Sequence, residues 1–464
     1  MLKNLQKLPS LLTFIMLVLF ACASTPETGE VPAEEGTPVE NRAKNTYYID
    51  SQNGDDNNDG LSENTAWKSH TMVSTVTFQP GDTIAFKRGS QFTAPIHFTE
   101  SGTEQNPIKI TSYGEGDLPR FTNSDSRDMN GNAIRISGSW IILEKLYFHD
   151  TPPTRQANRV YSIFLMGAVL NMEGANHNII RNNFFVNCTK AIQSTGEFTL
   201  ITNNYMNGPN HALWIRPGAD GGWGPMGIQL GIGNQEVSYN TIKNYLTTDS
   251  PYGSDGGAIE LDDGRFHKDN FYIHHNYTEG NAGFIESSWE FDNNPFVQEV
   301  HNLRVAFNVN FDAQDWLYLW APCHECYFDN NTVIRTHDFT SPLNDVVWVD
   351  FDGVHFRNNL IVYSSDVYQG DGVDGIRTEK NWYLNVNNGS QSPWDPNPAG
   401  SGDPGLVDLA GGDYRLTSNS PLIEKGTNLS EFYSVDFEGN LLSESGAWDI
   451  GAYQGGLDIG AVQP

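Results

Sequence analysis

A short pattern of apolar and polar positions recurs along the chain. A β-type apolar stretch is followed by one or two Asn residues and then by another apolar or aromatic residue, as in Ile179–Phe184 and Tyr272–Tyr277. Such stretches favour short β-strands, and Asn favours the tight turns between them. The eight repeats align on Asn183, Asn204, Asn240, Asn276, Asn308, Asn331, Asn359 and Asn381.

The spacing of these Asn residues predicts a solenoid. The smallest separation is 21 residues (204 − 183) and the largest is 36 (240 − 204). A fixed minimum with a variable excess is expected when each coil repeats the same short strands and insertions are confined to loops. An Asn amide donates and accepts hydrogen bonds and tolerates a left-handed backbone, so stacked turns can share a ladder of side-chain hydrogen bonds.

The repeat resembles the asparagine ladder of right-handed parallel β-helices. The flanks agree, because Tyr47–Asp50 and Pro80–Ile84 look like the opening of bacterial β-helix proteins, while Asp413–Leu416 and Asp449–Tyr453 look like their closing segment. The resemblance implies an all-β chain folded as a single-stranded right-handed parallel β-helix of the pectin-lyase-like type. That type includes carbohydrate-active enzymes, but the scaffold alone does not identify a reaction.

The first residues are typical of a targeting segment. Lys3 and Lys7 precede the apolar run Leu11–Phe20, which is too short to span a bilayer as a stable helix. The segment Leu19–Cys22 resembles a bacterial lipobox, which implies lipidation of Cys22; an ordinary cleaved signal is the alternative. We therefore expect a protein anchored by lipid at the bacterial outer membrane or cell surface, with periplasmic and secreted locations as alternatives.

The segment boundaries follow from these signals. The predicted segments are a lipoprotein signal peptide (1–22), a disordered tether rich in Pro, Glu and Thr (23–45), an N-terminal cap with the first coils (46–125), the β-helix core (126–400) and a closing segment (401–464). We expect a monomer that contacts a membrane only through its lipid.

A second column of strands lies between the ladder turns. Side chains alternate across a strand, so one apolar residue in each predicted strand points into the core and its neighbours point out. The strands are Ala191–Thr195, Gly227–Gly231, Ala258–Asp262, Phe284–Ser288, Trp316–Trp320 and Val346–Asp350. Their inward residues are Ile192, Ile228, Ile259, Ile285, Leu317 and Val347, and the next residues, pointing outward, are Gln193, Gln229, Glu260, Glu286, Tyr318 and Trp348.

The outward column places acids beside aromatic residues, which is the combination that a sugar-polymer groove needs. Glu260 and Asp262 are two residues apart on one strand, about 6.5–7 Å, near the lower end of the separation in inverting glycosidases. Glu286 is expected on the adjacent strand, about 4.8 Å away, where like charge raises a carboxyl pKa and favours a general acid. These three residues are the predicted catalytic groups.

The Glu-x-Asp arrangement resembles that of iota-carrageenases, which are also β-helices. The resemblance implies an endo-acting glycoside hydrolase on an anionic glycan, such as a sulfated carrageenan- or fucan-like polymer. The predicted substrate-binding residues are Gln229, His211, Arg216, Arg265, Tyr318, Trp320 and Trp348. His211 and Arg216 fall in one of the longest insertions, and long loops on one face of a solenoid commonly wall a groove.

Four alternatives remain open from the sequence. The acids can simply be solvated, or they can bind Ca²⁺, which takes several carboxylate oxygens, whereas the hydrolase requires no cofactor. The chain can be a polysaccharide lyase resembling chondroitinase B and related alginate lyases, with Lys268 and Arg265 near Ca²⁺-binding acids; no Lys is expected on the groove face, which favours hydrolysis. It can also be a non-catalytic glycan-binding surface lipoprotein.

The net charge and the cysteine content limit the partners and metals that the protein can be expected to bind. The net charge of −30, from 57 acidic against 27 basic residues, argues against nucleic acid and anionic membrane surfaces as partners. Cys323 and Cys326 form one CxxC pair without the second pair that a structural zinc site needs, so a local disulfide or two packed thiols is expected. His275 precedes a ladder Asn, so we expect it to pack against its neighbours rather than to take part in catalysis.

Overall fold

The structure is a computed structural model. It describes residues 43–93, 95–123, 131–151, 166–209, 213–214, 222–250, 253–262, 265–287, 299–319, 321–335, 343–344, 352–364, 368–369, 375–387 and 395–456. The chain divides into residues 1–43 and residues 44–464, and all the elements described belong to the second unit. The predicted leader and Cys22 lie outside the described residues.

The repeat folds as predicted into a parallel β-helix. Each coil contributes one strand to each of three sheets in turn, as shown by Ile179–Arg181, Phe184–Val186 and Lys190–Ser194. The chain then returns to the first sheet with Leu200–Thr202, which pairs in parallel with Ile179–Arg181. Short apolar stretches broken by Asn turns produce this path, because each strand can bury one face only by stacking on the next coil.

Each of the three sheets runs along the stack of coils, with its strands in a fixed spatial order. The first sheet has 12 strands: Thr46–Ile49, Thr83–Lys87, Ile108–Tyr113, Ile141–Glu144, Ile179–Arg181, Leu200–Thr202, Gln235–Ser238, Lys268–His274, Val300–Ala306, Cys323–Asp329, Asp352–Arg357 and Ile376–Glu379. The second sheet also has 12: Gln91–Phe92, Arg120–Phe121, Tyr147–His149, Phe184–Val186, Tyr205–Asn207, Thr241–Lys243, Tyr277–Glu279, Val309–Phe311, Thr332–Arg335, Leu360–Tyr363, Trp382–Asn385 and Gly400–Ser401. The third sheet has 10: Ile96–Phe98, Ile134–Ile136, Val169–Asn171, Lys190–Ser194, Met226–Leu230, Gly257–Leu261, Gly283–Ser287, Asp315–Leu319, Leu343–Asn344 and Tyr368–Gln369.

The remaining secondary-structure elements are short. In the described part of the chain, 3-10 helices span Glu63–Thr65 and His70–Thr75. The antiparallel strand pairs are Leu213–Trp214 with Gly222–Trp223, Thr247–Ser250 with Gly253–Asp255, and Leu406–Asp408 with Asp413–Leu416. Within the described residues, no helix has the length and apolar character needed to cross a membrane.

The asparagine ladder is confirmed from Asn183 to Asn381. In the middle of the ladder, the Nδ2 of Asn240 donates to the Oδ1 of Asn276 at 3.0 Å, and Asn276 donates onward to Asn308 at 3.1 Å. The last amide, on Asn381, donates to a carboxylate oxygen of Asp395 at 3.2 Å. The ladder thus satisfies a continuous row of buried polar groups, which would otherwise destabilise the core.

The left-handed backbone does not belong to the ladder Asn itself. It belongs to the residue before it, which is another Asn in four coils and, elsewhere, a residue such as Tyr239 (φ 54°), His275 (φ 55°) or Phe307 (φ 52°). The ladder Asn instead uses its backbone N–H to donate to the next coil's amide oxygen, for example from Asn240 to Asn276 at 3.0 Å. The strain of the turn is therefore placed on residues of several types.

The apolar column of the third sheet is confirmed over five coils. Ile228 pairs with Ile259, Ile259 with Ile285, and Ile285 with Leu317, and all are buried. The predicted pairing of Leu317 with Val347 is wrong, because Leu317 pairs with Leu343, and the predicted strand Val346–Asp350 lies outside the described residues.

The two cysteines of the CxxC are packed thiols. Cys323 and Cys326 are both fully buried and neither forms a disulfide. Glu325 has a left-handed backbone with φ 53°, so the alternation of the strand is shifted by one residue and both thiols face the core.

The C-terminal segment packs along the ladder side of the coils. The Tyr433 hydroxyl donates to Asp329 at 2.6 Å, and the Asn330 amide donates to the Asp449 carbonyl at 3.0 Å. His275 lies in the same contact, with its Nε2 2.9 Å from the Asp436 carbonyl oxygen. The packing role expected for His275 is therefore what the structure shows.

Candidate active site

A column of polar side chains crosses the middle of the third sheet. The parallel register pairs Gln193 with Gln229, Gln229 with Glu260, Glu260 with Glu286, and Glu286 with Tyr318. Adjacent parallel strands are about 4.8 Å apart, so each side chain of the column lies beside the next. The alignment expected from the sequence is thus reproduced across these five strands.

The predicted catalytic acids meet in this column. Glu260 is buried, with 8% of its surface exposed, and Asp262 directly follows its strand. The backbone N–H of Asp262 donates to the Leu230 carbonyl at 3.2 Å, so the ladder of the sheet continues through this residue. Glu260 and Asp262 therefore keep the two-residue spacing of one strand face.

Burial and like charge act together on the two glutamates. Burial raises the pKa of Glu260 well above its ordinary value, and the charges of Glu286 and Asp262 raise it further. Burial also raises the pKa of Glu286, to about 8, with the charges of Asp255, Asp262 and Asp315 adding to the effect. At neutral pH this pair holds a proton that an exposed carboxyl would have lost.

Asp255 and Asp315 are acids that sequence reasoning missed. Asp255 ends the hairpin Thr247–Asp255, just before the strand that carries Glu260. Asp315 begins the strand that pairs with the Glu286 strand. A hint was present for Asp315, which immediately precedes the strand predicted at Trp316–Trp320.

Gln229 links a buried lysine to Asp262. The Lys190 ammonium donates to Gln229 Oε1 at 2.5 Å, and Gln229 Nε2 donates to Asp262 Oδ2 at 3.3 Å. The other oxygen, Asp262 Oδ1, is buried and has no hydrogen-bond partner among the described residues.

Lys190 corrects an expectation drawn from the sequence. No Lys was expected on the groove face, yet Lys190 is 1% exposed and its charge lowers the pKa of Glu260, against the stronger effects that raise it. It begins the strand Lys190–Ser194, one residue before the strand predicted from the sequence. The main reason for preferring hydrolysis over elimination on sequence grounds is therefore removed.

A buried arginine fixes the start of the neighbouring strand. Arg335 donates from one terminal nitrogen to the Asp315 carbonyl oxygen at 2.8 Å, and that nitrogen lies 3.8 Å from Asp312 Oδ2. Burial raises the pKa of Asp312 to about 6, although the Arg335 charge acts in the opposite direction. This pair holds in place the strand that presents Asp315 and Tyr318.

The remaining predicted site residues divide into three groups. Tyr318 is partly exposed beside Glu286, whereas Arg265 is exposed with its guanidinium 4.9 Å from the Phe266 ring centroid. Lys268, considered for a lyase, is fully buried at the start of the first-sheet strand Lys268–His274. The residues that lie outside the described part of the chain are His211, Arg216, Trp320 and Trp348.

The acids of the column do not by themselves form a cation site. The charges of Asp255, Asp262 and Asp315 act on Glu286, and Ca²⁺ prefers carboxylate ligands, but within the described residues no three ligand atoms of these acids converge. The same groups can instead perform acid–base chemistry on a glycosidic bond, because one carboxyl is held protonated and another accepts an amide hydrogen bond.

Comparisons with known proteins establish the scaffold. No family model matches the sequence. The chain is 41% identical over 76 residues, 16% of its length, to a lacto-N-biosidase of Bifidobacterium longum subsp. longum, and the match spans only 5% of that protein.

Solved structures match over most of the chain. The pectate lyase Pel9A has a TM-score of 0.56 at 16% identity, covering 89% of this chain and 97% of its own. XylC in complex with xylose has a TM-score of 0.56 at 11% identity, covering 89% and 99%. A rhamnogalacturonan lyase has a TM-score of 0.52 at 13% identity, covering 79% and 91%. At these identities the likeness shows the fold, and the fold is that of β-helix carbohydrate-active enzymes.

Proposed function

We propose that the protein is a glycoside hydrolase that cleaves a polysaccharide at the third-sheet column. The observation that carries the proposal is the register pair Glu260 and Glu286, whose pKa values are both raised, beside the hydrogen-bonded Asp262. Glycosidases need one protonated carboxylic acid and one ionised carboxylate near the same bond. We assign the first role to Glu260 and the second to Asp262.

In the proposed reaction Glu260 is the general acid. Burial and the neighbouring Glu286 keep it protonated, and it donates this proton to the glycosidic oxygen as the bond to the anomeric carbon breaks. Asp262 Oδ1 accepts a proton from a water molecule whose oxygen attacks that carbon from the opposite face. The strand spacing of about 6.5–7 Å leaves room for this water at the lower end of the inverting range.

The charges of the column affect which glycans can bind there. The column holds several acids and the buried Lys190, so a polyanionic glycan would meet net repulsion unless a cation such as Ca²⁺ bridged it. We therefore expect a neutral glycan to be cleaved without added Ca²⁺, and a sulfated or uronate-containing glycan to be cleaved only with it. The anionic substrate suggested by the sequence stays a prediction.

A panel assay tests the proposal. The purified chain is incubated with neutral, uronic and sulfated polysaccharides, with and without Ca²⁺, while reducing ends and the ultraviolet absorbance of an unsaturated uronate are followed together. Hydrolysis predicts reducing ends without absorbance, lost in Glu260→Gln and kept in Glu115→Gln, which changes an exposed acid far along the chain. Turnover that survives in Glu260→Gln would contradict the assigned acid.

A polysaccharide lyase is the second candidate, and Lys190 favours it. Lys190 is buried and acts electrostatically on Glu260, and a lysine is the type of base that could remove the proton beside a uronate carboxyl while a bound Ca²⁺ neutralised that carboxyl. An elimination mechanism predicts that absorbance rises with the reducing ends, that a chelator abolishes both, and that Lys190→Met does so as well.

The cellular setting is likewise proposed from the sequence. We infer that the chain is lipidated at Cys22 and acts as a monomer at the bacterial outer membrane or cell surface. Metabolic labelling with a fatty acid, lost in Cys22→Ala, tests the anchor.

A further inference from the structure

A second cluster of side chains lies on the outer face of the first sheet, away from the third-sheet column. Glu299 precedes the strand Val300–Ala306, His301 lies on that strand, and His324 lies on the next strand, Cys323–Asp329. The register pairs His301 directly with His324. All three side chains are partly buried, so they are held by the sheet while remaining reachable from solvent.

The ligand atoms of this cluster converge. One nitrogen or oxygen from each of the three residues lies within 4.8 Å of the other two. Glu299 Oε2 is 3.0 Å from His301 Nε2 and 3.7 Å from His324 Nε2. The imidazole rings stack with centroids 4.7 Å apart and planes 24° from parallel.

Hydrogen bonds within the cluster do not satisfy all three side chains. The 3.7 Å separation is too long for a hydrogen bond, and His324 Nε2 is a buried atom without a hydrogen-bond partner among the described residues. A cation shared by the two imidazole nitrogens and the carboxylate oxygen would satisfy all three residues.

We propose that Glu299, His301 and His324 form a binding site for a divalent transition metal of the Zn²⁺ class. Two imidazoles and one carboxylate match the ligand preference of such ions and differ from the all-oxygen sets that Ca²⁺ and Mg²⁺ prefer. Asp269 occupies the register position beside His301 and is a candidate for an outer ligand. The metal would join two adjacent coils and stabilise the fold independently of glycan cleavage.

The neighbouring thiols do not contribute to this site. Cys323 and Cys326 face the core, whereas His324 between them faces outward on the alternating strand. The CHEC segment thus presents a histidine ligand on one face and packed sulfur on the other.

Calorimetric titration of the chelator-treated full chain with ZnCl₂ tests the proposal. We expect one equivalent of Zn²⁺ to bind and to raise the melting temperature, while MgCl₂ has no such effect. His301→Ala, His324→Ala and Glu299→Gln should each weaken binding by at least about tenfold. His149→Ala is the matched control, because it removes a histidine that lies 2.8 Å from a carboxylate of Asp150 on the second sheet.

A second measurement guards against variants that fail to fold. Co²⁺ added to the native chain should give visible bands typical of low-coordinate nitrogen and oxygen ligation, and Glu299→Gln, which keeps both rings and the side-chain volume, should alter them. Each variant must reproduce the native circular dichroism spectrum. Zn²⁺ affinity unchanged in His324→Ala, or absence of stoichiometric binding to the native chain, would overturn the proposal.

Discussion

At the scale of single residues, the site depends on carboxyl groups kept protonated by their surroundings. Glu286 could be placed beside Glu260 from the sequence, because alternation and the repeat spacing fix which residues face outward. Lys190 and Asp255 could not be placed from the sequence. Lys190 is the first residue of its strand and Asp255 ends a hairpin, and the repeat pattern specifies neither the strand start nor the path of the hairpin. Sequence patterns identify column members, whereas residues at the ends of strands need the folded backbone.

The raised pKa of Glu286 has a consequence for stability. Its pKa is about 8 in the folded chain against an ordinary value of 4.5, so the native state holds a proton that the unfolded state releases. This stabilisation is complete below about pH 4.5 and is lost as the pH rises towards about 8, at about 1.4 kcal/mol per pH unit.

Replacing the Glu286 carboxyl should therefore make the stability of the protein depend less on pH. We predict that the urea midpoint of the native chain falls between about pH 5.5 and about pH 7.5, and that Glu286→Gln shows a smaller fall. Glu115→Gln, at an exposed position, serves as the control and should follow the native curve. Parallel curves for Glu286→Gln and the native chain would show that this carboxyl is not perturbed.

At the scale of elements, the asparagine ladder holds the coils in register. The existence of the ladder and the three-sheet coil were predictable from the eight repeats, since a strand pair with an Asn turn recurs at a fixed minimum spacing. The pairing of Leu317 with Leu343 rather than with Val347 was not predictable. After an insertion in the chain, apolar residues at several spacings fit the same strand alternation.

The ladder makes a stability prediction. Asn276 is fully buried, donates to the Val237 carbonyl at 2.9 Å and accepts from the backbone and side chain of Asn240. Asn276→Ala should lower the free energy of unfolding by at least about 2 kcal/mol, because several buried polar groups lose their partners. Urea denaturation measures this loss.

Asn57→Ala is the control for that experiment. Asn57 is exposed and its amide donates only a local hydrogen bond, to Asp55 at 2.8 Å. The free energy of unfolding of this variant should change by less than about 0.5 kcal/mol. Equal losses in the two variants would mean that the ladder does not stabilise the β-helix.

At the scale of the whole molecule, the C-terminal segment joins distant coils. The resemblance to other β-helix proteins predicted that this segment ends the fold. Its packing along the ladder side of the coils depends on individual contacts, such as the hydrogen bond from Tyr433 to Asp329, which the sequence does not predict. Trp448, Leu429 and Phe307 pack in the same contact. The segment therefore couples the stability of the last coils to residues that lie about a hundred positions later.

Tyr433→Phe tests this coupling. The hydroxyl donates at 2.6 Å to Asp329, whose carboxylate also accepts two hydrogen bonds from Arg357. Losing a hydrogen bond to a charged group should cost about 1.5–3 kcal/mol and lower the melting temperature. Tyr205→Phe, on a partly exposed position of the second sheet, should leave it nearly unchanged. A melting temperature equally insensitive to both changes would contradict the role given to the segment.

The most direct test of the central claim, that Glu260 protonates the leaving group, uses two substrates of one sugar. On the polymer, Glu260→Gln should lower kcat by about 10²–10⁴-fold, because the leaving oxygen needs a proton. On an aryl glycoside whose leaving group departs without protonation, the same variant should retain most of its activity, whereas Asp262→Asn should lose activity on both. An equal loss on both substrates for Glu260→Gln would contradict the role of Glu260 as the general acid.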